Sequence, residues 1–359
     1  MTIAIDCRMI DASGIGVYLR GCLPWFLQSG NSLLLMGNAV KLNSFAANPD
    51  IQIINCNIKP FSIKELLFFS PKKARQINKA DAYFSPFFNI PHGIKIPVYT
   101  TLHDIIFPDI PELSSKVGLA VRMWFYSRAY KKSKKIFTVS QFSKSRIEHH
   151  LGTEKPVVVT HSAIQPMFLN FRSHNQNVPK NDTIVFIGNI KKHKGLDCLL
   201  DAFQCVRDEG LHHRLVIIGS KENFRTTDNT IMGKTESICG DAISFTGFVS
   251  DEQLMEHLAA AALLVQPSLY EGFCLPPLEA MVLGTHALIS DIPVLKEVYA
   301  EYPVTFFRAG DSADLKEKML KLLLDIDTSK KNPYPTLSKE QLSKYTFEKT
   351  ASTILRELP

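Results

Sequence analysis

No apolar run in the 359 residues approaches the roughly 18 or more needed to cross a bilayer as a helix. The first residues, Met1-Thr-Ile-Ala-Ile-Asp6, also lack a basic region followed by an apolar stretch and a cleavage site, so the expected location is the cytoplasm. Paired cysteines are missing too. The seven (Cys7, Cys22, Cys56, Cys198, Cys205, Cys239 and Cys274) are scattered, odd in number and include no C-x-x-C, which predicts reduced thiols buried mostly as small hydrophobes. Histidines do not supply a metal site either: His149-His150 and His212-His213 are neighbours without an H-x3-H or a carboxylate at ligand spacing. Surface histidines are the better reading, and neither a metal nor another cofactor is expected. There is no internal repeat of the solenoid kind.

What is present is ordinary globular composition, 45% apolar and 21% charged, in a chain long enough for two domains. The excess of 41 Lys and Arg over 35 Asp and Glu gives a charge of +6, which suits anionic ligands or an anionic membrane surface and does not demand nucleic acid. The densest basic cluster, Arg128, Lys131, Lys132, Lys134 and Lys135, closes a helical pattern carrying Val121, Met123, Trp124, Phe125 and Tyr130. A solvated helix C-terminus favoured by the macrodipole is the ordinary reading, and peripheral contact with lipid headgroups is the sharper one.

Short apolar runs at 3–6, 33–36, 51–54, 83–85, 98–101, 135–139 and 157–160 alternate with amphipathic helical stretches, the pattern of a parallel sheet with crossover helices. A polar stretch at 170–182 reads as a linker. A second series follows, with strands at 183–187, 214–218, 243–246, 262–266 and 287–290 and helices at 195–209, 252–260 and 312–324. The predicted architecture is α/β, two doubly wound Rossmann-like domains (1–169 and 183–337) with a cleft between them. A tail at 338–359 has helical spacing of Leu342, Tyr345, Phe347, Ala351, Ile354 and Leu355.

The segment 268–285, SLYEGFCLPPLEAMVLGT, carries the most chemistry. Gly272, Pro276 and Pro277 mark a loop that opens into a helix near Pro277, which puts Glu271 in the loop and Glu279 in the first helical turn. The N–H groups of Gly272, Phe273, Cys274 and Leu275 have no helical partners, so with the helix start they offer an anion site suited to a diphosphate. Glu279 can accept two hydrogen bonds from a ribose diol, leaving Glu271 for the hydroxyls of a sugar. The bland alternative is a pair of solvated helix-start glutamates. A hydrolytic pair does not suit the spacing, because eight residues at about 1.5 Å each span roughly 12 Å, against about 5 Å in retaining glycosidases.

Four other strings sit at strand ends. In DASGIGVYLR (11–20), Gly14 and Gly16 allow close approach of a phosphate to a helix expected at 17–27, although Leu19 breaks the dinucleotide fingerprint and a tight turn explains the glycines equally well. In VYTTLHDIIFP (98–108), His103 and Asp104 end a strand, where ligands of open α/β sheets bind; a structural histidine is the alternative, and Asp104 supports the loop or positions an acceptor. Ser140 reads as an N-cap. In IVFIGNIKKHKGLDCLLDAF (184–203), Asn189, Lys191, Lys192, His193 and Lys194 stand between a strand and a helix, with Lys194 the best candidate for a phosphate and Lys191 and Lys192 readable as solvated. Gly219-Ser220-Lys221 and FTGFVSD (245–251), with Val249, end two further strands.

The E-x7-E segment, with its Gly-Phe and Pro-Pro-Leu, resembles the signature of the retaining glycosyltransferases of family 4, which have the GT-B fold. Ile5-Asp-Cys-Arg8 with Gly14-Ile-Gly-Val17-Tyr18, Thr101-Leu-His103-Asp104 and Lys194-Gly195 extend the resemblance over most of the chain, toward bacterial mannosyltransferases of surface polysaccharide assembly. The resemblance implies an N-terminal acceptor domain, a C-terminal nucleotide-sugar domain, and a last helix that crosses back to the first domain. It implies Glu271, His103, Lys194 and Asp104 as the catalytic group, with His103 as an orienting residue. Gly14, Gly16, Asn189, His193, Gly219, Val249, Gly272, Phe273, Cys274, Leu275 and Glu279 join Glu271 and Lys194 around the donor, and base contacts fall in the loop at 245–251. It further implies GDP-mannose as donor (UDP-glucose or another nucleotide hexose second), no metal, and a saccharide or lipid-linked saccharide acceptor. Three places depart from the family pattern: Cys274 stands where a second glycine or another small residue is usual, Val17 stands where an arginine is common, and Asn189 and His193 occupy the positions where a second cation is common. A sugar-nucleotide epimerase, which needs no acceptor, and a non-catalytic nucleotide-sugar binder are the competing readings.

Overall fold

The computed structural model describes residues 1–175, 178–219, 242–328 and 335–359. The chain divides into two compact units, Met1–Gln165 with Tyr345–Pro359, and Pro166–Lys344. The polar stretch 170–182 therefore begins inside a helix of the second unit, and the division falls at Gln165.

The first unit holds strands β1 (Thr2–Asp6), β2 (Ser32–Gly37), β3 (Ile51–Asn55), β4 (Ala82–Ser85), β5 (Val98–Thr101), β6 (Lys135–Thr138) and β7 (Val157–Val159). Its helices are α1 (Ser13–Gln28), α2 (Ile63–Phe68), α3 (Pro71–Ile77), α4 (Ile106–Asp109), α5 (Lys116–Lys132) and α6 (Gln141–Leu151). All strands pair in parallel in the order β3-β2-β1-β4-β5-β6-β7. Strands β4 and β5 are buried at every position, as a sheet covered on both faces requires, which is why they read as apolar runs without alternation. Serine caps set several helix starts: Ser70, Ser115 and Ser140 each accept from a backbone N–H of the first turn.

The second unit holds β8 (Thr183–Ile187), β9 (Arg214–Ile218), β10 (Ile243–Gly247), β11 (Leu263–Gln266), β12 (His286–Ser290) and β13 (Val304–Phe307). Helices α7 (Pro166–His174), α8 (Leu196–Asp208), α9 (Asp251–Ala260), α10 (Pro276–Val282), α11 (Pro293–Tyr299), α12 (Ser312–Thr328) and α13 (Lys339–Lys344) accompany them. The sheet is again parallel, in the order β10-β9-β8-β11-β12-β13. Counted within each unit, the first sheet runs 3-2-1-4-5-6-7 and the second 3-2-1-4-5-6, so each has a switch point where successive crossovers turn to opposite sides, between β1 and β4 and between β8 and β11. The core of the second sheet packs Ile184, Phe186, Leu215, Leu263 and Val265 against Leu199 and Phe203 of α8 and Leu315 and Met319 of α12.

The tail is not one helix. It breaks at Tyr345 and Thr346, where the Thr346 hydroxyl accepts from the Lys349 amide and starts α14 (Phe347–Glu357), leaving α13 in the second unit. Helix α14 packs on α1 of the first unit, as the resemblance implies. Phe347 lies so close over Gly21 that a Cβ there would be 2.4 Å from the ring, so Gly21 makes this seat possible. Among the described cysteines, Cys7, Cys22 and Cys56 are buried, Cys198 and Cys274 are half-buried and Cys205 is exposed; Cys239 lies outside the described residues.

Candidate functional site

In the second unit the predicted residues gather at the carboxyl ends of β8 and β11. Gly195 closes the β8 loop with φ +70°, and a Cβ on it would sit 1.9 Å from the Pro267 carbonyl oxygen. Only glycine satisfies both conditions, and the resulting backbone-to-backbone approach brings Lys194 onto the β11 loop. Lys194 Nζ lies 2.7 and 2.8 Å from the two carboxylate oxygens of Glu271. The Ser268 hydroxyl donates to the same carboxylate at 2.7 Å, and the Gln266 amide donates to Ser268 at 3.0 Å. Glu271 is thus a fixed, charge-balanced anion rather than a solvated helix-start residue.

Glu279, in the first turn of α10, is 7% exposed, and its side-chain carboxyl receives no hydrogen bond or ion pair from a described residue. Burial, aided by Asp251, pushes its carboxyl up to about 8, so at neutral pH it is mostly protonated. A buried carboxyl without a partner costs free energy that a ligand's hydroxyl groups can recover. Between the two glutamates, Gly272, Cys274 and Leu275 are half-buried and Phe273 is buried. Cys274 adopts φ +74°, the left-handed region, and its carbonyl oxygen accepts from the Tyr299 hydroxyl. A glycine at this place would meet no such backbone strain, whereas the cysteine carries a cost of about 1 kcal/mol. Burial also raises its thiol well above the usual range, so it is neutral.

His193, which stands where a second cation is common, is neutral in this structure. Burial and the adjacent Lys194 lower that imidazole to about 4, and its Nδ1 is buried without a hydrogen-bond partner. Lys191 and Lys192 are exposed and Asn189 is half-buried, so Lys194 is the cation held against Glu271. The neighbouring strand ends are tied by glycines. A Cβ on Gly219 would lie 2.2 Å from the Gly188 carbonyl oxygen, and the Gly219 amide donates to Gly247 at 3.1 Å. Val249 is half-buried beside the exposed Phe248, just before Ser250 and Gln253 form the capping box of α9. Ser220 and Lys221 lie outside the described residues.

In the first unit, α1 starts at Ser13, four residues before the expected position, so Gly14 and Gly16 are helical. The Gly16 amide donates to Ala12 at 2.7 Å and is not available to a phosphate; its missing side chain is explained by the Ile10 carbonyl oxygen, 2.4 Å from where a Cβ would be. Gly14 has open space above its Cα. His103 Nε2 lies 2.9 Å from the Pro86 carbonyl oxygen, which can only accept. Nε2 therefore carries the proton and Nδ1 is left as an acceptor. Burial lowers the ring to about 4, so it is neutral across the physiological range, and Tyr18 packs edge-on at 4.9 Å. Asp104 accepts from the Ile106 amide at 3.3 Å at the start of α4, a loop-supporting contact.

Sequence reasoning missed a buried ionic network in the first unit. Arg8, 1% exposed at its side chain, pairs with Asp6 at 2.6 Å and with Glu65 at 2.5 Å, while Tyr83 donates to Asp6 at 2.8 Å and Asn89 donates to Glu65. Arg8 was visible only as part of a motif string. Glu65, in Lys64-Glu-Leu-Leu-Phe68, carries no sign that it is turned inward.

Residues 168–333 match the model for glycosyl transferases group 1. The chain is 28% identical over 273 residues to O-antigen chain mannosyltransferase B of Escherichia coli, covering 73% of this chain and 71% of that protein. It is 27% identical over 203 residues to O-antigen chain mannosyltransferase RfbU of Salmonella typhimurium, covering 55% and 53%. The match to the serotype-specific mannosyltransferase WbdA of Escherichia coli, 29% over 146 residues, spans 40% of this chain and 18% of that longer protein. Among solved structures, a sucrose-phosphate synthase from Thermosynechococcus elongatus superposes with TM-score 0.74 at 16% identity over 99% of this chain and 98% of the other. The Anabaena protein HepE in complex with UDP-glucose does so with TM-score 0.71 at 16% identity, over 100% and 99%. With two parallel doubly wound sheets and these relatives, the chain is a glycosyltransferase of the GT-B fold that resembles bacterial mannosyltransferases.

Proposed function

We propose that the protein transfers a hexose, mannose from GDP-mannose, with retention of configuration, onto a saccharide or lipid-linked saccharide acceptor of bacterial lipopolysaccharide or other surface polysaccharide. The observation that carries this reading is the pairing of Lys194 with Glu271 next to a buried, unpartnered Glu279 at the β8/β11 switch point. Glu279 accepts the two ribose hydroxyls. The diphosphate takes over the Lys194 ammonium, and the hydroxyls of the sugar replace Lys194 as donors to Glu271, which Ser268 keeps oriented. His103 offers Nδ1 to a further hydroxyl. The anomeric carbon then leaves the phosphate oxygen and bonds to the acceptor oxygen on the same face. The acceptor proton passes to the departing diphosphate, so configuration is kept and no protein carboxylate forms a covalent bond.

A thermal-shift panel of GDP-, UDP-, dTDP- and ADP-sugars tests the donor. GDP-mannose should give the largest shift, and a larger one with UDP-glucose would replace it with the UDP-hexose reading. Peripheral contact with an anionic membrane surface belongs to the same proposal. Helix α5 has no acidic residue, exposes Val117, Val121 and Trp124 along one stripe, and ends in Lys131 and Lys132. Lys135, by contrast, begins β6 and pairs with Glu357. Unchanged sedimentation with phosphatidylglycerol vesicles after Trp124→Ala, Lys131→Ala and Lys132→Ala would remove that contact.

A further inference from the structure

A cavity of about 520 Å³ opens beyond the carboxyl end of β3, lined by Asn55, Asn57, Lys59, Ser62, Lys64 and Lys73. Its polar groups are almost all donors. The Asn55 side-chain oxygen accepts from the Ala39 amide at 3.2 Å, so its NH₂ is the group left over. The Asn38 side-chain oxygen accepts from the Val40 and Lys41 amides, which fixes the Asn38 NH₂ as the donor to the Asn57 oxygen at 2.9 Å. Asn57 is therefore also left with its NH₂. The Ser62 hydroxyl is engaged on both sides, donating to the Lys59 carbonyl oxygen and accepting from Glu65 N–H.

Among the described residues, none of Lys59, Lys64 and Lys73 has a carboxylate partner. Glu65, the acidic residue closest in sequence, turns inward to Arg8 and is fully buried. Three ammonium groups and two amide NH₂ groups around one cavity, with no anion to balance them, make a site for a phosphate. The volume is in the range of sites for small ligands, which leaves room for more than the phosphate itself.

We propose that this cavity binds the phosphate ester of the acceptor, a phosphorylated or lipid-diphosphate-linked saccharide. The inference rests on the acceptor class of the preceding reading and names its anionic end. Strand β3 is two places from β1 in the sheet, roughly 10 Å at about 4.8 Å per strand. A phosphate held there is set away from the β1 loop of Gly14 by the length of one or two sugar residues, and from the β5 loop of His103, two strands further on, by about twice that. That separation suits the reducing end of an acceptor, whose reacting hydroxyl lies at the other end.

The test is calorimetric titration of the full chain with inorganic phosphate at low salt. The wild type is compared with a triple variant, Lys59→Ala, Lys64→Ala and Lys73→Ala, and with Lys194→Ala. Exposed or half-exposed lysines can be removed without loss of the fold, and the thermal shift given by GDP-mannose should persist in the triple variant. The expected result is phosphate binding that weakens roughly tenfold or more in the triple variant, stays in Lys194→Ala, and returns in part with Lys→Arg replacements. Equal affinity in wild type and triple variant, or no binding in either, overturns the proposal. So does binding to phosphatidylglycerol vesicles that needs these lysines when soluble phosphate does not bind, since the lysines would then read a charged surface. Each of these failures leaves the nucleotide-sugar reading standing, because that is measured separately by the thermal shift.

Discussion

Glu279 is the residue where burial and ligand binding make the sharpest combined claim. Its pKa is raised from 4.5 to about 8, so the folded state holds a proton that the unfolded state releases above about pH 4.5. Its stabilising contribution is complete below that pH and is lost as pH rises toward 8. Glu279→Gln removes the ionisable group; melting curves should show the variant gaining on the wild type between pH 5 and 9, and a constant difference would count against the burial argument. If the ribose diol needs the carboxylate, nucleotide-sugar affinity of the wild type should improve up to tenfold per pH unit between about 6 and 8, a dependence absent in Glu279→Gln. For the charged pair, Lys194→Ala leaves Glu271 buried without its cation, and Glu271→Ala removes the sugar contact. Each should lower turnover by about 100-fold or more in a transfer assay, with donor binding also weakened in Lys194→Ala. At Cys274, glycine should be tolerated within about 1 kcal/mol, while valine, β-branched at φ +74°, should cost about 2 kcal/mol more in denaturant unfolding. The glutamates were legible because their spacing is local. The neutral state of His193 was not, because desolvation depends on what packs over a residue.

At the scale of elements, the strands were legible wherever an apolar run was buried on both faces. Strand β13 was not read, because Val304, Thr305 and Phe306 are only half-buried and give no strong pattern. Helix α11, just before it in the chain, lies in the same blind spot, a seven-residue segment opened by Pro293 with little length over which a period can show. Helix α1 starts early because Gly14 and Gly16, which look like loop residues, are held in the first turn, with the Gly16 amide bonded to Ala12. The tail's break at Thr346 illustrates the opposite error: the apolar spacing continues across it, and only the side-chain cap reveals a new helix. The link between β8 and α8 has the strictest requirement. Gly195→Ala places a Cβ into the Pro267 carbonyl oxygen at a φ that alanine avoids, so it should destabilise the protein by about 3 kcal/mol or more. Because the same contact seats Lys194, a variant that still folds should also lose donor-induced thermal shift. Retention of the full shift would separate the glycine from the site.

For the whole molecule, two doubly wound sheets could be read from the sequence because each repeats the same alternation, whereas the place where the units divide could not. The helical spacing of 166–174 continues into polar residues, and the chain returns to its first unit only after Lys344. That return has an energetic consequence. Helix α14 and the residue after it bury Phe347, Ala351, Ile354 and Leu358 within the first unit, at 3%, 0%, 0% and 8% exposure. At about 1.5–3 kcal/mol for each of the three large side chains, their removal would cost roughly 5–9 kcal/mol, comparable with the entire stability of a typical domain. It would also leave the apolar seat over Gly21 open to water. A chain ending at Lys344 should therefore lose the unfolding transition of its first unit at ordinary temperatures. The groups assigned to the donor, Lys194, Glu271 and Glu279, all lie in Pro166–Lys344 and draw none of their described hydrogen bonds from α14. Calorimetry of the truncated chain should accordingly show one remaining transition that still moves upward with the nucleotide sugar. A single cooperative loss of both folding and donor response would instead mean that the two units are thermodynamically one.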